Sequence, residues 1–372
     1  MRLEHQHASQ AAHPVDVGKA LPRRGYAGNL PGHKRALHYR SLSVSRQSAA
    51  QIPPLACLGV WAVLCFLATL YAVHLGYSGR AFVATLVTFT LLLAITLFCA
   101  ARGVSETLLS RFGAAAGYLL GTAAYVSYLL YAIGTSVFTF ARAGEAALFV
   151  FVPLLLAASA KTAAPGTWQD FLIVAGIWVV VKFHGARLLW PYPQGRAGYI
   201  LTVLFALAVS LSVFLFARRL GGIGYTVGWG RGWTFYIFAS FLVFCAVAIP
   251  LGETIHFVRF DPYAQDWRTL PGTALGILVF TAWPEEFLFR GILQNLLQRT
   301  TKSELAGWLL ASVVFGFAHI TNMGFPNWRY VLLAAIAGVF YGWTWRKSGS
   351  IFASALVHAL VDTAWHFLFR TL

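Results

Sequence analysis

Charged residues are scarce in this sequence. Lysine, arginine, aspartate and glutamate make up 11% of the 372 residues, whereas 58% are hydrophobic; soluble domains usually carry about 25% charged residues. Apolar runs of about 17 residues and more recur from residue 53 to the end. Because these runs are continuously apolar and not alternating, they argue against a β-barrel. We therefore expect an all-α fold, a polytopic membrane helical bundle.

Cysteine is also scarce. The four cysteines, Cys57, Cys65, Cys99 and Cys245, all lie in apolar runs, and none has the C-x-x-C spacing. They are typical of small core residues, so a disulfide framework and a cysteine zinc site are both excluded. No internal repeat is visible either, whereas many transporters consist of repeated halves.

Acidic residues are so few that the net charge is +16. Basic residues concentrate in residues 1–52, which have no apolar periodicity, and we predict a disordered basic segment there. Cationic segments beside a span stay on the cytoplasmic side and are attracted to anionic lipid. We expect an integral protein of the plasma (inner) membrane with its N-terminus in the cytoplasm. Nucleic-acid binding is not expected, because the basic residues lack a folded platform.

The apolar runs predict about eleven transmembrane helices. Their centres fall near residues 65, 91, 126, 152, 177, 208, 242, 284, 312, 337 and 359. The Gly-rich, polar stretch 219–233 is the best candidate for a domain boundary. We therefore predict an N-terminal membrane helical bundle over 53–220 and a C-terminal domain over 221–372.

Three charged side chains interrupt one of the apolar runs, in the stretch TAWPEEFLFRGILQ. A carboxylate at the centre of a membrane helix costs about 2.5–3.5 kcal/mol. Glu286 and Arg290 are four residues apart and can neutralise each other on one helix face. Glu285 is rotated from that face by about 100° and has no partner at this spacing. It needs either a partner on another helix or a hydrated cavity.

The runs that follow carry further ionisable groups. His319 lies near the end of one run, and His358 and Asp362 project from one face of the last. Each group also has a structural interpretation: Glu286 and Arg290 as a clasp within one helix, His319 as a hydrogen-bonded core residue, and the last pair as a clasp between helices. Because several neighbouring spans share this costly feature, a functional site is favoured.

A carboxylate with two histidines suits hydrolysis by activated water. The sequence has no H-E-x-x-H motif and no serine in a nucleophile elbow. Glu285 would take a proton from water, and an imidazole would donate one to the leaving amine. The second histidine and Asp362 would hold or polarise the scissile carbonyl. Alternatively, Glu285, His319 and His358 would bind zinc at a catalytic site.

Three motifs together resemble a known family. They are EEFLFRG at 285–291, FGFAH at 315–319 and GVFYGWTWRKSGSIFASALVHALVD at 338–362. The stretch 270–368 resembles the CAAX protease and bacteriocin-processing family of intramembrane proteases, whose motifs E-E-x-x-x-R, F-x-x-x-H and H-x-x-x-N or D occur in this order. The resemblance implies an intramembrane endopeptidase acting on a membrane-tethered peptide or protein, in CAAX-type or sorting-signal processing.

The resemblance also implies roles for single residues. Glu285 would activate water together with His319, while His358 and Asp362 would stabilise the transition state. Glu286 and Arg290 would support this geometry. Better-known members have Asn at the position of Asp362, and an ionised carboxylate cannot donate a hydrogen bond to an oxyanion. Orienting His358 is therefore an equal possibility for Asp362.

Two other questions stay open on the sequence. No cofactor is assigned, with Zn²⁺ as the alternative, because a tightly held zinc site usually shows closer ligand spacing on one helix. The alternative functions are a non-catalytic membrane scaffold or immunity protein, and a proton-coupled transporter. The expected partners are membrane lipid and a membrane-tethered substrate.

Overall fold

The computed structural model describes residues 50–372, except for 163, 185–187, 193–195 and 264. Of the segment 1–52 that was predicted to be disordered, residues 1–49 lie outside the described residues. Within its remaining part, Ala50–Gln51 form strand β1.

Helices dominate the described chain, as the sequence predicted. In chain order they are α1 (Pro54–His74), α2 (Gly79–Cys99), α3 (Val104–Phe112), α4 (Ala115–Gly134), α5 (Phe140–Ala158), α6 (Trp168–Val179), α7 (Arg196–Ser210), α8 (Trp233–Thr254), α9 (Leu270–Ile277), α10 (Trp283–Glu286), α11 (Asn295–Thr301), α12 (Glu304–Phe317), α13 (Trp328–Ser348) and α14 (Ile351–Leu368). Two short antiparallel pairs join distant parts of the chain: β1 pairs with β2 (Gly228–Trp229), and β3 (Val258–Phe260) with β4 (Phe369–Thr371).

π-helical turns extend or join several of these helices. Val180–His184 continues α6, and Leu211–Ala217 continues α7. Two further π-helical segments, Leu278–Ala282 and Phe287–Gln294, flank α10. Residues 270–301 are therefore helical without interruption, and we call them the motif helix. π-turns are rare and occur mostly at functional sites.

Seven helices of the described chain are long and apolar enough to cross a membrane: α1, α2, α4, α5, α7 with its extension, α8 and α14. The predicted all-α polytopic fold is confirmed, and the chain is an integral membrane protein. The more exact number of eleven spans stays a prediction. So does the division at residues 220 and 221.

Polar caps define where the helices of the C-terminal part begin. Ser303 accepts a hydrogen bond from the backbone of Ala306 at the start of α12. Asn327 caps α13 and Ser350 caps α14 in the same way. Such side chains satisfy the free N–H groups of a first helical turn. The three helices that carry or support the second and third motifs thus have well-defined starts.

Small residues allow α12 and α13 to pack closely. A Cβ atom on Gly316 would lie 2.6 Å from the backbone oxygen of Val331, and one on Gly338 would lie 2.9 Å from the Cα atom of Ser312. Only glycine permits such an approach, which is the common mode of close packing between membrane helices. The contact fixes the end of α12, from which His319 follows.

The helix α7 lies at the centre of the described chain. It packs against α2 and α4 on one side and against α10 of the motif helix on the other. At its end, Arg218 is buried and forms two charged hydrogen bonds with Asp170, Nε to Oδ1 at 2.7 Å and Nη2 to Oδ2 at 2.9 Å. Arg218 thereby joins the end of α7 to the start of α6.

Candidate active site

A cavity of about 630 Å³ lies between α6, α7, the motif helix and the loop after α12. Most of its lining is apolar, but several polar side chains face it: Lys182, Tyr199, Glu285, His319 and Asn322. Its volume is typical of a small-ligand or peptide site. Two of the predicted site residues, Glu285 and His319, therefore share one cavity.

Glu285 lies on α10, inside the motif helix. Its Oε2 atom is buried and has no hydrogen-bond partner among the described residues. A buried carboxylate oxygen without a partner is costly unless water or a ligand occupies the space beside it. Glu285 as a residue lines the cavity, so its carboxylate group can accept a proton from a molecule there.

The neighbouring Glu286 has the opposite environment. It is fully buried, and its Oε1 atom lies 2.9 Å from both Arg290 Nη1 and His358 Nδ1. Its Oε2 atom accepts a hydrogen bond of 2.5 Å from Ser354. Both oxygens of this carboxylate thus have partners, and Glu286 links the motif helix to α14.

Arg290 is held by a carboxylate and by aromatic rings. Neither Nη atom has a partner in hydrogen-bond geometry among the described residues, although Nη1 lies at ion-pair distance from Glu286. The guanidinium carbon lies 4.1 Å from the ring centre of Phe315 and 5.2 Å from that of Tyr341. Cation–π attraction at such distances stabilises a desolvated arginine. Arg290 therefore has a supporting position behind the cavity.

The ring of His319 is fixed by two contacts. Its Nδ1 atom lies 2.7 Å from the carbonyl oxygen of Phe315. Because a carbonyl can only accept, Nδ1 carries the hydrogen, and Nε2 of the neutral ring keeps a free lone pair. The ring also stacks on Tyr330, with centroids 5.2 Å apart. His319 is thus oriented with one nitrogen available for proton transfer.

His358 lies between two carboxylates. Nδ1 donates to Glu286 at 2.9 Å, and Nε2 lies 3.4 Å from Asp362 Oδ2. The ring stacks on Tyr341 at 4.6 Å. Both His358 and Asp362 are absent from the cavity lining formed by the described residues.

The two imidazoles are connected through one aromatic ring. The Phe315 centroid lies 4.7 Å from that of His319 and 5.9 Å from that of His358. The structure therefore brings Glu285 and His319 to the cavity. It places His358, Asp362, Glu286 and Arg290 in a packed network beside it.

The geometry does not suit the zinc alternative. His358 does not line the cavity that Glu285 and His319 share among the described residues, so the three ligands of the zinc alternative do not meet at one site. Across the part of the chain that the structure describes, no group of three or more His, Cys, Asp and Glu side chains is arranged to hold a metal ion.

Sequence reasoning missed three of these polar residues of the cavity: Lys182, Tyr199 and Asn322. Lys182, on the π-turns after α6, contacts Oδ1 of Asn322 with its Nζ atom. Asn322 follows His319 by three residues. A lysine inside the apolar run WVVVKFHG is the signal that could have drawn attention to this segment.

Searches among curated proteins and among solved structures gave no match for this chain. A family model does match, over residues 267–364. This stretch contains all three motifs, together with the motif helix, α12, α13 and most of α14, which carry or support them. The predicted resemblance is therefore confirmed for the C-terminal part of the chain, which matches the Rce1-like family of type II CAAX prenyl endopeptidases.

Proposed function

We propose that this protein is an intramembrane endopeptidase that hydrolyses a peptide bond of a membrane-tethered peptide or protein without a metal ion. One observation carries the proposal. Glu285, with an unpartnered carboxylate oxygen, and His319, with a free Nε2, line the same cavity. A water molecule beside Glu285 would meet a proton acceptor, which is the requirement for general base catalysis, and His319 supplies a second group for the proton transfers that follow.

The reaction then needs one water and one peptide bond. Glu285 accepts a proton from water as the water oxygen forms a bond to the scissile carbonyl carbon. The tetrahedral intermediate collapses when the carbon–nitrogen bond breaks and the leaving nitrogen receives a proton, from Glu285 directly or through His319. The second water proton stays on the new carboxyl group and passes to the released amine, so the products are a carboxylate and an ammonium group, and the two side chains return to their initial states.

The packed network beside the cavity supplies position and charge. Glu286 and Arg290 hold the motif helix against α14 through His358 and Ser354. Because His358 lies outside the described cavity lining, we assign it a positioning role: it holds Glu286 and, through it, the motif helix that carries Glu285. An ionised Asp362 has no hydrogen to donate, so its proposed role is to orient His358.

The substrate class follows from the membrane setting. The cavity lies among apolar helices, and a peptide held near the membrane by a lipid or a span would reach it at high effective concentration. We propose CAAX-type or sorting-signal processing, in the plasma membrane and with the N-terminus in the cytoplasm.

The direct test compares Glu285→Gln with the wild type in liposomes. The substrate is a lipid-modified peptide, and the products are identified by mass spectrometry. Loss of a general base lowers the rate by about 10²- to 10⁴-fold. The matched control is Glu304→Gln, because Glu304 is exposed and pairs only with Arg346. Cleavage that persists in Glu285→Gln would refute the mechanism. Wild-type protein that shows no cleavage would favour the scaffold function. An ion flux that is lost in Glu285→Gln would favour the transporter function.

The metal-free route has its own test. We expect purified active protein to contain less than stoichiometric zinc and to keep its rate after dialysis against a chelator. Activity that is lost to the chelator and restored by zinc would overturn this part of the proposal.

A further inference from the structure

The cavity contains a cation that the proposed hydrolysis does not use. Lys182 lies on the π-turns after α6, outside the stretch 267–364 that matches the family model. Its Nζ atom contacts the neutral oxygen Oδ1 of Asn322. Within the described chain, no carboxylate lies at ion-pair distance from this ammonium. Glu285, the acid in the same cavity, attracts this ammonium from beyond ion-pair distance and forms no ion pair with it among the described residues.

The partner of Lys182 is held in place by its own loop. The backbone N–H of Asn322 donates to the carbonyl of His319 at 2.9 Å, and its carbonyl accepts from Asn327 Nδ2 at 3.1 Å. Its Oδ1 atom accepts from Lys182, and its side chain also hydrogen-bonds with Tyr330. Asn322 therefore holds the ammonium in position, and Lys182 is the charged donor.

A partly buried ammonium with only a neutral partner is incompletely compensated. In a cavity with mostly apolar walls, an entering anion would supply the missing charge and gain charge-assisted hydrogen bonds. Because the cation is not paired with Glu285, an anion can bind it while Glu285 remains free to act on water.

We propose that Lys182, held in position by Asn322, binds a carboxylate of the substrate and thereby selects which peptides are cleaved. This inference rests on the proposed function. Two sources of the carboxylate share this chemistry: the C-terminus of the peptide and an acidic side chain close to it. Lys182 is then a specificity-determining residue contributed by the N-terminal part of the chain.

The test uses three lipid-modified peptides with the full-length protein in liposomes. The first peptide has a free C-terminal carboxylate, and the second has an amidated C-terminus. The third also has an amidated C-terminus, but its last residue is glutamate. We expect the wild type to cleave a carboxylate-bearing peptide with a kcat/KM about 10- to 100-fold above that of the plain amide. This ratio corresponds to the free energy that a hydrogen bond to a charged group typically contributes. The difference should appear mainly in KM. The first and third peptides distinguish the two sources.

The variants are Lys182→Gln, Lys182→Arg and the control Lys161→Gln, whose lysine is exposed. Lys182→Gln should lower the ratio of the two kcat/KM values, carboxylate-bearing peptide over plain amide, to about one, while Lys182→Arg should keep most of this preference. Binding of the same peptides to Glu285→Gln protein gives a readout that does not need turnover. If Lys182→Gln kept the full preference for carboxylate-bearing peptides in both turnover and binding, the inference would be overturned. The cleavage itself would still support the proposed function. Wild-type protein that cleaves none of the peptides would contradict the proposed function itself.

Discussion

Glu285 and Glu286 are adjacent in the chain, yet they have opposite environments. Successive residues of a helix are rotated by about 100°, so the two side chains leave the helix in different directions. Glu286 contacts Arg290, His358 and Ser354 inside the protein, whereas Glu285 lines the cavity. One carboxylate is therefore structural, and the other is available for chemistry.

This difference gives a prediction at the residue scale. Glu286→Gln leaves Arg290 buried without an opposite charge, and breaking a buried ion pair in this way costs about 3–5 kcal/mol. We expect a large drop in the thermal unfolding temperature of the detergent-solubilised protein. The matched variant Glu285→Gln removes no such pair and should unfold near the wild-type temperature.

Equal unfolding temperatures for the two variants would contradict this assignment. They would mean that Glu286 and Arg290 do not depend on each other in the folded state.

At the scale of elements, the site depends on how closely α12 and α13 approach. Gly316 lies one turn before His319, and its Cα faces the backbone oxygen of Val331 so closely that a Cβ atom would be 2.6 Å away. The contact positions the last turn of α12, including the carbonyl of Phe315 that holds His319 Nδ1.

We expect Gly316→Ala to push α12 away from α13. Overpacking of this kind costs about 1–3 kcal/mol, and a displaced His319 should lower the cleavage rate as well. Thermal unfolding and peptide cleavage measured on the same preparation test both effects.

The matched control is Gly176→Ala, within α6. A Cβ atom at Gly176 would meet nothing within 4 Å, and alanine is the better helix former. Its stability should equal or exceed that of the wild type. If Gly316→Ala behaved like this control, the close approach would not position the site.

At the scale of the whole molecule, the cavity combines two parts of the chain. The matched stretch 267–364 provides Glu285 and His319, while α6 and α7 provide Lys182 and Tyr199. The pairing of β1 with β2 and the packing of α7 on the motif helix also connect the N-terminal part to the C-terminal part.

We therefore expect a chain that starts at residue 221 to lack cleavage activity in liposomes, because one wall of the cavity is missing. Co-expression with residues 1–220 should restore cleavage. Full activity of the shorter chain alone would show that the N-terminal helices serve another purpose.

The elements that local sequence specifies were predictable. The length and apolar character of the runs predict membrane helices, because the bilayer core sets both. The spacing of Glu286 and Arg290 predicted an i,i+4 pair, and the structure has it at 2.9 Å. The limits of the helices were less accessible, because the π-helical turns join segments that no apolar pattern distinguishes.

The sequence by itself determined that the chain is helical, lies in a membrane and carries the three motifs of one family. Only the tertiary structure decided that Glu286 pairs with His358 as well as with Arg290, that Phe315 contacts both imidazoles, and that Lys182 enters the cavity. The reason is physical: periodicity reports which face of a helix is apolar, whereas partners that are far apart in the chain depend on how helices pack against one another in three dimensions.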